Sequence, residues 1–109
     1  MAFRHYTLTL NGAAQRLSTV LTNTQVGGEE DVACAQIILS ADPANTAVVY
    51  VGSASGVSAT SHAFSLDPTQ ATAADKVSIG PFSVGPVKLS EFWALGTNNE
   101  RLMIGVVYL

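Results

Sequence analysis

A chain of 109 residues sits near the commonest domain size and is long enough to bury a core of its own, so a single domain over residues 1–109 is expected. Hydrophobic residues make up 48% of it and charged residues 12%, about half the ~25% usual for soluble domains. The net charge of −3 gives no electrostatic case for nucleic acid, no apolar run reaches the ~18 residues of a membrane helix, and the single cysteine, Cys34, excludes an internal disulfide.

Period-two alternation runs through most of the chain. Near the start, Tyr6, Leu8 and Leu10 alternate with His5, Thr7 and Thr9, and Asn11-Gly12 then signals a turn. Arg4, His5 and Arg16 interrupt this region and no apolar stretch follows, so no secretion signal is read and a soluble protein made in the cytoplasm is expected. Residues 15–22 read as a short strand through Leu17, Thr19 and Leu21, followed by a polar loop carrying Glu29, Glu30 and Asp31. Further strands are expected over 32–40, 47–52, 61–66, 77–84, 86–95 and 101–108. Turn residues separate them at 42–45, 52–56 and 97–100, the last read as a tight hairpin because Asn tolerates positive φ. Helical signals occur in DPTQATAADK, where Asp67 can cap, Pro68 suits the first helical position and Gln70 completes a capping box. The expected fold is all-β: an antiparallel, jelly-roll-like sandwich with one short helical turn around residues 67–75.

Two strands carry a further message. In RLMIGVVYL, Leu102, Ile104, Val106 and Tyr108 share one face, while Met103, Gly105, Val107 and Leu109 share the other. In AVVYVG, Val49 and Val51 point one way, Val48 and Tyr50 the other. A sheet with one wet face alternates apolar with polar; these strands are apolar on both sides. Their outer faces need cover, either from the loop at 67–76 or from a second subunit. Each additional Val or Tyr side chain buried is worth roughly 1.5–3 kcal/mol, enough for a few per subunit to drive self-association. A surface with few Lys and Glu suits a molecule whose outside meets other protein.

Few residues form a chemical constellation. Gly52 and Gly56 flank a small-residue loop, but a phosphate loop needs Gly-Lys-Ser/Thr opening a helix, and here Val57-Ser58-Ala59 follows Gly56. His5 and His62 are far apart in sequence and lack the spacing of metal ligands. Ser61 and His62 are neighbours on opposite faces of a strand, which rules them out as nucleophile and base. Glu29, Glu30 and Asp31 read as a solvated loop in preference to a calcium site. Trp93 suits a core plug, a partner contact or a sugar platform, and Cys34 in VACAQIIL reads as a buried thiol. No cofactor, metal or catalytic residue is expected.

The residues Asp42, Asn45-Thr46 and Val49-Tyr50-Val51-Gly52, the run Phe92-Trp93-Ala94-Leu95-Gly96-Thr97, and the terminal Ile104-Gly105-Val106-Val107-Tyr108-Leu109 resemble small virion proteins of tailed bacteriophages. The likeness spans residues 32–109, through structural motifs; the longer DPTQATAADKVSIGPFSVGP departs from it. It implies a β-sandwich decoration, or cement, protein on the capsid exterior, commonly trimeric, with no active site. Expected partners are therefore the major capsid protein and further copies of the chain, with Phe3, Tyr6, Glu29, Glu30, Asp31, Tyr50, Trp93 and Tyr108 as candidate contacts. The alternative is a sugar-recognising or adhesion module of a head fibre, neck or tail, using Trp93 or the 52–56 loop.

Overall fold

A computed structural model describes residues 2–23, 33–71, 73–81 and 87–108. Among these, eight strands are present: β1 (Ala2–Thr9), β2 (Gln15–Arg16), β3 (Cys34–Ala41), β4 (Val49–Gly52), β5 (Phe64–Leu66), β6 (Lys76–Ile79), β7 (Trp93–Leu95) and β8 (Arg101–Tyr108). They form two four-stranded sheets with the orders β1-β8-β3-β6 and β2-β7-β4-β5, and every pairing is antiparallel. The first strand pairs with the last, the second with the seventh, the third with the sixth and the fourth with the fifth; β8–β3 and β7–β4 contacts join these pairs. That is a long ribbon doubled back and wound into two layers, the topology of an eight-stranded jelly roll. The all-β, jelly-roll-like expectation holds.

Alternation explains which side of each strand turns inward. Ile37 and Leu39 on β3, Leu102, Ile104 and Val106 on β8, and Val49 and Val51 on β4 are all buried to 1% exposure or less. They belong to one cluster, joined by Leu10, Leu17, Leu66 and Leu89. Tyr6 and Tyr108 close part of it, with their hydroxyls hydrogen-bonded at 3.1 Å. Cys34 is buried and free, as its apolar surroundings imply.

Four local readings change. Residues 17–23 are a 3-10 segment and the strand stops at Arg16. Leu17, Val20 and Leu21 are the buried residues and Thr19 is exposed, a spacing of three and four that Leu17 and Leu21 alone could not distinguish from alternation. No helix forms at 67–75 among the described residues. Asp67 is the right residue type in a different element: its carboxylate accepts from the Thr69 N–H (2.9 Å) and hydroxyl (2.7 Å), and the Gln70 N–H closes a turn on the Asp67 carbonyl. Gln70 then takes φ 59°, which a helix does not accept. The segment expected as a strand over 86–95 is a 3-10 turn at Leu89–Glu91 followed by β7 alone. Asn99 does adopt positive φ (71°), but β7 and β8 lie in different sheets, so the 97–100 turn carries the chain across the sandwich and closes no hairpin.

A polar clamp fixes that crossing. Asp42 Oδ1 accepts from the Ala44 N–H and its other oxygen pairs with Arg101 at 3.3 Å. Asn45, buried, brackets the Arg101 backbone, accepting its N–H (2.9 Å) and donating to its carbonyl (2.8 Å). Glu100 accepts from the Thr46 N–H (2.7 Å), the Thr46 hydroxyl (2.8 Å) and the Ala47 N–H (3.1 Å). Residues 42–47 thus supply the donors and acceptors that the start of β8 needs. Asn45→Ala removes the partner of the Arg101 N–H and is expected to cost about 1–3 kcal/mol in denaturant unfolding.

Glu100 adds a pH signature. The Thr46 N–H holds its pKa below the ordinary value against an opposing push from burial, and the Thr46 hydroxyl and Ala47 N–H add to the lowering. Because the folded-state pKa is the lower one, the stabilisation is complete above the unfolded carboxyl's value, ~4.3 for Glu, and disappears as pH falls through the folded one. The melting-temperature gap between wild type and Glu100→Gln is expected to be widest near neutral pH and to narrow below about pH 4.

Candidate functional site

The small-residue loop after β4 is occupied by its own side chains. Val57, 6% exposed, sits on Gly52, where a β-carbon would lie 3.0 Å from Val57 Cγ2. Ser58 and Ser61 exchange backbone hydrogen bonds, and a His62 ring nitrogen lies 3.0 Å from the Ser58 carbonyl. A depression of about 280 Å³ remains, bordered by Ser53, Ala54, Gly56 and Ser61. The glycine at 52 therefore serves close packing, and the loop turns the chain between β4 and β5. His62 is engaged with Ser58 and with the Tyr50 ring, whose centroid is 4.9 Å away. His5 lies on the opposite sheet, and among the described residues no three His, Cys, Asp or Glu side chains gather where they could hold a metal ion.

On the outer face of the β2-β7-β4-β5 sheet, Val48, Tyr50, Trp93 and Leu95 are half-buried. The Arg16 guanidinium lies over the Trp93 ring, 4.9 Å from its centroid. This cation–π contact occupies one face of the indole ring. Beside it, Val48, Tyr50, Leu95 and Gly96 border an open groove.

The outer face of the β1-β8-β3-β6 sheet is barer. Register places Phe3 beside Val107, His5 beside Gly105 and Thr7 beside Met103, with Ile38 across Gly105 on β3. Phe3 is 59% exposed and Met103 37%; these are the large hydrophobic side chains left open among the described residues. A β-carbon at Gly105 would meet the Phe3 ring at 3.6 Å and Ile38 at 3.7 Å, ordinary contact distances, and an open hollow of about 220 Å³ lies against this stretch of the sheet. Phe3, His5, Ile38, Ser40 and Met103 line it, all from strands β1, β3 and β8. Among the described residues, the loop at 67–76 contributes nothing to this lining.

Of the candidate contact residues, Phe3, Tyr50 and Trp93 stand on outer faces. Tyr6 and Tyr108 do not: both point into the core, 8% and 9% exposed and bonded to each other, because they share the inward parity of Leu8 and Val106. Glu29, Glu30 and Asp31 lie outside the described residues. Missing from the sequence-based set were His5, Ile38 and Met103. Ile38 had a signal, since the Ile37-Ile38 doublet breaks the alternation of β3 in the same way that Met103, Gly105 and Val107 break that of β8.

No family model, no curated protein and no solved structure matches the chain. The core and outer-face roles separate by mutation. Tyr6→Phe, which deletes one hydroxyl of a buried pair, is expected to cost about 0.5–1.5 kcal/mol in unfolding free energy. Phe3→Ser is expected to leave unfolding within about 0.5 kcal/mol of wild type, as surface substitutions do.

Proposed function

We propose that the protein is a structural virion component: a capsid decoration protein, not an enzyme, that seats on the outer surface of the major capsid shell as a homotrimer and stabilises it. The observation that carries this reading is the uncovered apolar face of the β1-β8-β3-β6 sheet around Phe3, Gly105 and Met103. Exposed apolar surface concentrated on one face of so small a chain is the mark of a surface that meets another protein.

Two further features support it. The segments that resemble tailed-phage virion proteins have structural work in this fold: Asp42, Asn45 and Thr46 bind the start of β8, and Phe92 to Thr97 span β7 and the crossing turn. A likeness resting on such residues fits shared architecture without shared catalysis. The surface, rich in small uncharged side chains, gives up little side-chain entropy on docking. Many identical copies on a fixed lattice then convert modest single-site affinity into firm attachment.

Light scattering behind size exclusion is expected to give about three times the 11.3 kDa chain mass. Added to shells that lack it, the protein is expected to bind and to raise their melting temperature. A monomer that leaves such shells unbound and unstabilised would refute the reading.

A further inference from the structure

We propose that Asn11 is a site of covalent modification: its side-chain amide is lost to attack by the Gly12 backbone nitrogen, which converts the residue to aspartate and isoaspartate. Nothing in this chemistry depends on what the protein binds.

The reaction is a ring closure followed by hydrolysis. The Gly12 nitrogen gives up its proton to hydroxide and adds its lone pair to Asn11 Cγ. The Cγ–Nδ2 bond breaks, and the nitrogen leaves as ammonia after taking a proton from water. Water then opens the cyclic imide at either of its carbonyls. Cleavage of the new N–Cγ bond leaves aspartate in an ordinary peptide. Cleavage of the original peptide bond leaves isoaspartate, with the main chain rerouted through Cγ. Base and water are the co-reactants.

The turn holds the reacting groups ready for this step. Asn11 and Gly12 are exposed, and a β-carbon at Gly12 would meet nothing within 4 Å, so the amide approaches an unobstructed backbone. Asn11 Oδ1 accepts from the Ala13 N–H at 2.9 Å. That bond fixes the orientation of the amide and places a donor on the oxygen where negative charge develops as Gly12 adds. Among the described residues, neither the Gly12 N–H nor Asn11 Nδ2 has a hydrogen-bond partner, so the nucleophile and the leaving group are both open to solvent. Gln15 braces the turn from outside the reaction, accepting the Asn11 N–H at 3.1 Å and donating to the Thr9 carbonyl at 3.3 Å.

Exposure alone does not single out Asn11, because Asn98 and Asn99 are exposed as well. The next N–H does. For Asn98 it is that of Asn99, bonded to the Leu10 carbonyl at 2.8 Å; for Asn99 it is that of Glu100, bonded to the Thr97 carbonyl at 3.0 Å. Asn45 is buried with its amide on Arg101, and the Thr46 N–H that follows is held by Glu100 at 2.7 Å. Asn23 precedes Thr24, which lies outside the described residues, and Asn11 alone in the sequence precedes a glycine. A bonded N–H must surrender its hydrogen bond before it can attack.

Either product adds a carboxylate to a chain already at −3. Aspartate keeps an oxygen for the Ala13 N–H. Isoaspartate inserts a carbon into the main chain of the segment that links one sheet to the other, one residue from the Gly12 edge of the groove beside Tyr50 and Leu95.

The test incubates the folded protein in mildly alkaline buffer and follows each asparagine by peptide mapping, for wild type and for Asn11→Gln, whose longer side chain must close a larger ring. Expected is a gain of about 1 Da per molecule at Asn11, with isoaspartate among the products and a rate that rises with pH. Asn45, Asn98 and Asn99 are expected to react about fivefold or more slowly, the rate equivalent of the hydrogen bond to be given up, and Asn11→Gln to lose the early gain. In urea, where those N–H groups are released, the gap between Asn11 and the other three is expected to narrow. A folded protein that gains no mass, or gains it first at another asparagine, would overturn the proposal. So would a gain at Asn11 as aspartate alone, since direct hydrolysis without the imide yields no isoaspartate.

Discussion

Strand β8 is the constraint on which the rest of this structure depends. It is paired on both edges, to β1 and to β3, so its side chains can point only to the two faces of the sheet. Its inner set, Leu102, Ile104, Val106 and Tyr108, is buried by the opposite sheet. Its outer set, Met103, Gly105 and Val107, is as apolar in type, yet a two-layer sandwich has no third layer to place over it. The jelly roll therefore solves half of the burial problem posed by this sequence. The other half is left on the outer side of the sheet, where Phe3 and Met103 are exposed.

Polar chemistry in the chain is spent on holding that arrangement together. The start of β8 receives the Asn45 amide on its backbone, the Asp42 carboxylate on Arg101 and, through Glu100, the first residues leading into β4. These bonds tie a strand of one sheet to the entry of a strand in the other, across a turn where Asn99 takes positive φ. Asp67 and Thr69 shape the 67–70 turn in the same way. A run such as Asp-Pro-Ala-Asn-Thr, which in isolation could belong to a ligand-binding loop, is here a set of caps for backbone groups that burial would otherwise leave unsatisfied.

Much of this was legible in the sequence, and the misses have physical causes. Alternation gave the strands that matter most, β1, β3, β4 and β8, because each is long or fully buried on one side and its parity is unambiguous. It failed at 17–23, where Leu17 and Leu21 satisfy both a strand and a helical spacing and only the burial of Val20 decides. Turn residues were recognised at 11–12 and 97–100, but turn chemistry does not say whether the next strand lies alongside or in the opposite layer, and here it crosses. The exposed face was half visible: Met103, Gly105 and Val107 stood out on β8, whereas Ile38 and His5 join them only through the β1-β8-β3 register, which is not written in any one segment. Tyr6 and Tyr108 were misassigned because an aromatic residue with a hydroxyl reads as a contact residue until its parity, and its partner, place it in the core.

The most direct measurement of whether the outer face of the first sheet is covered by another protein is peroxide footprinting of Met103, whose thioether lies beside the hollow and is 37% exposed in the single chain. Oxidation of this residue, followed by mass spectrometry, is expected to be fast in dilute free protein and to slow by about tenfold or more in assembled particles, since susceptibility follows exposure. Equal rates in the two states would show that the face stays bare, and that the apolar outer half of β8 is not where this molecule meets its partner.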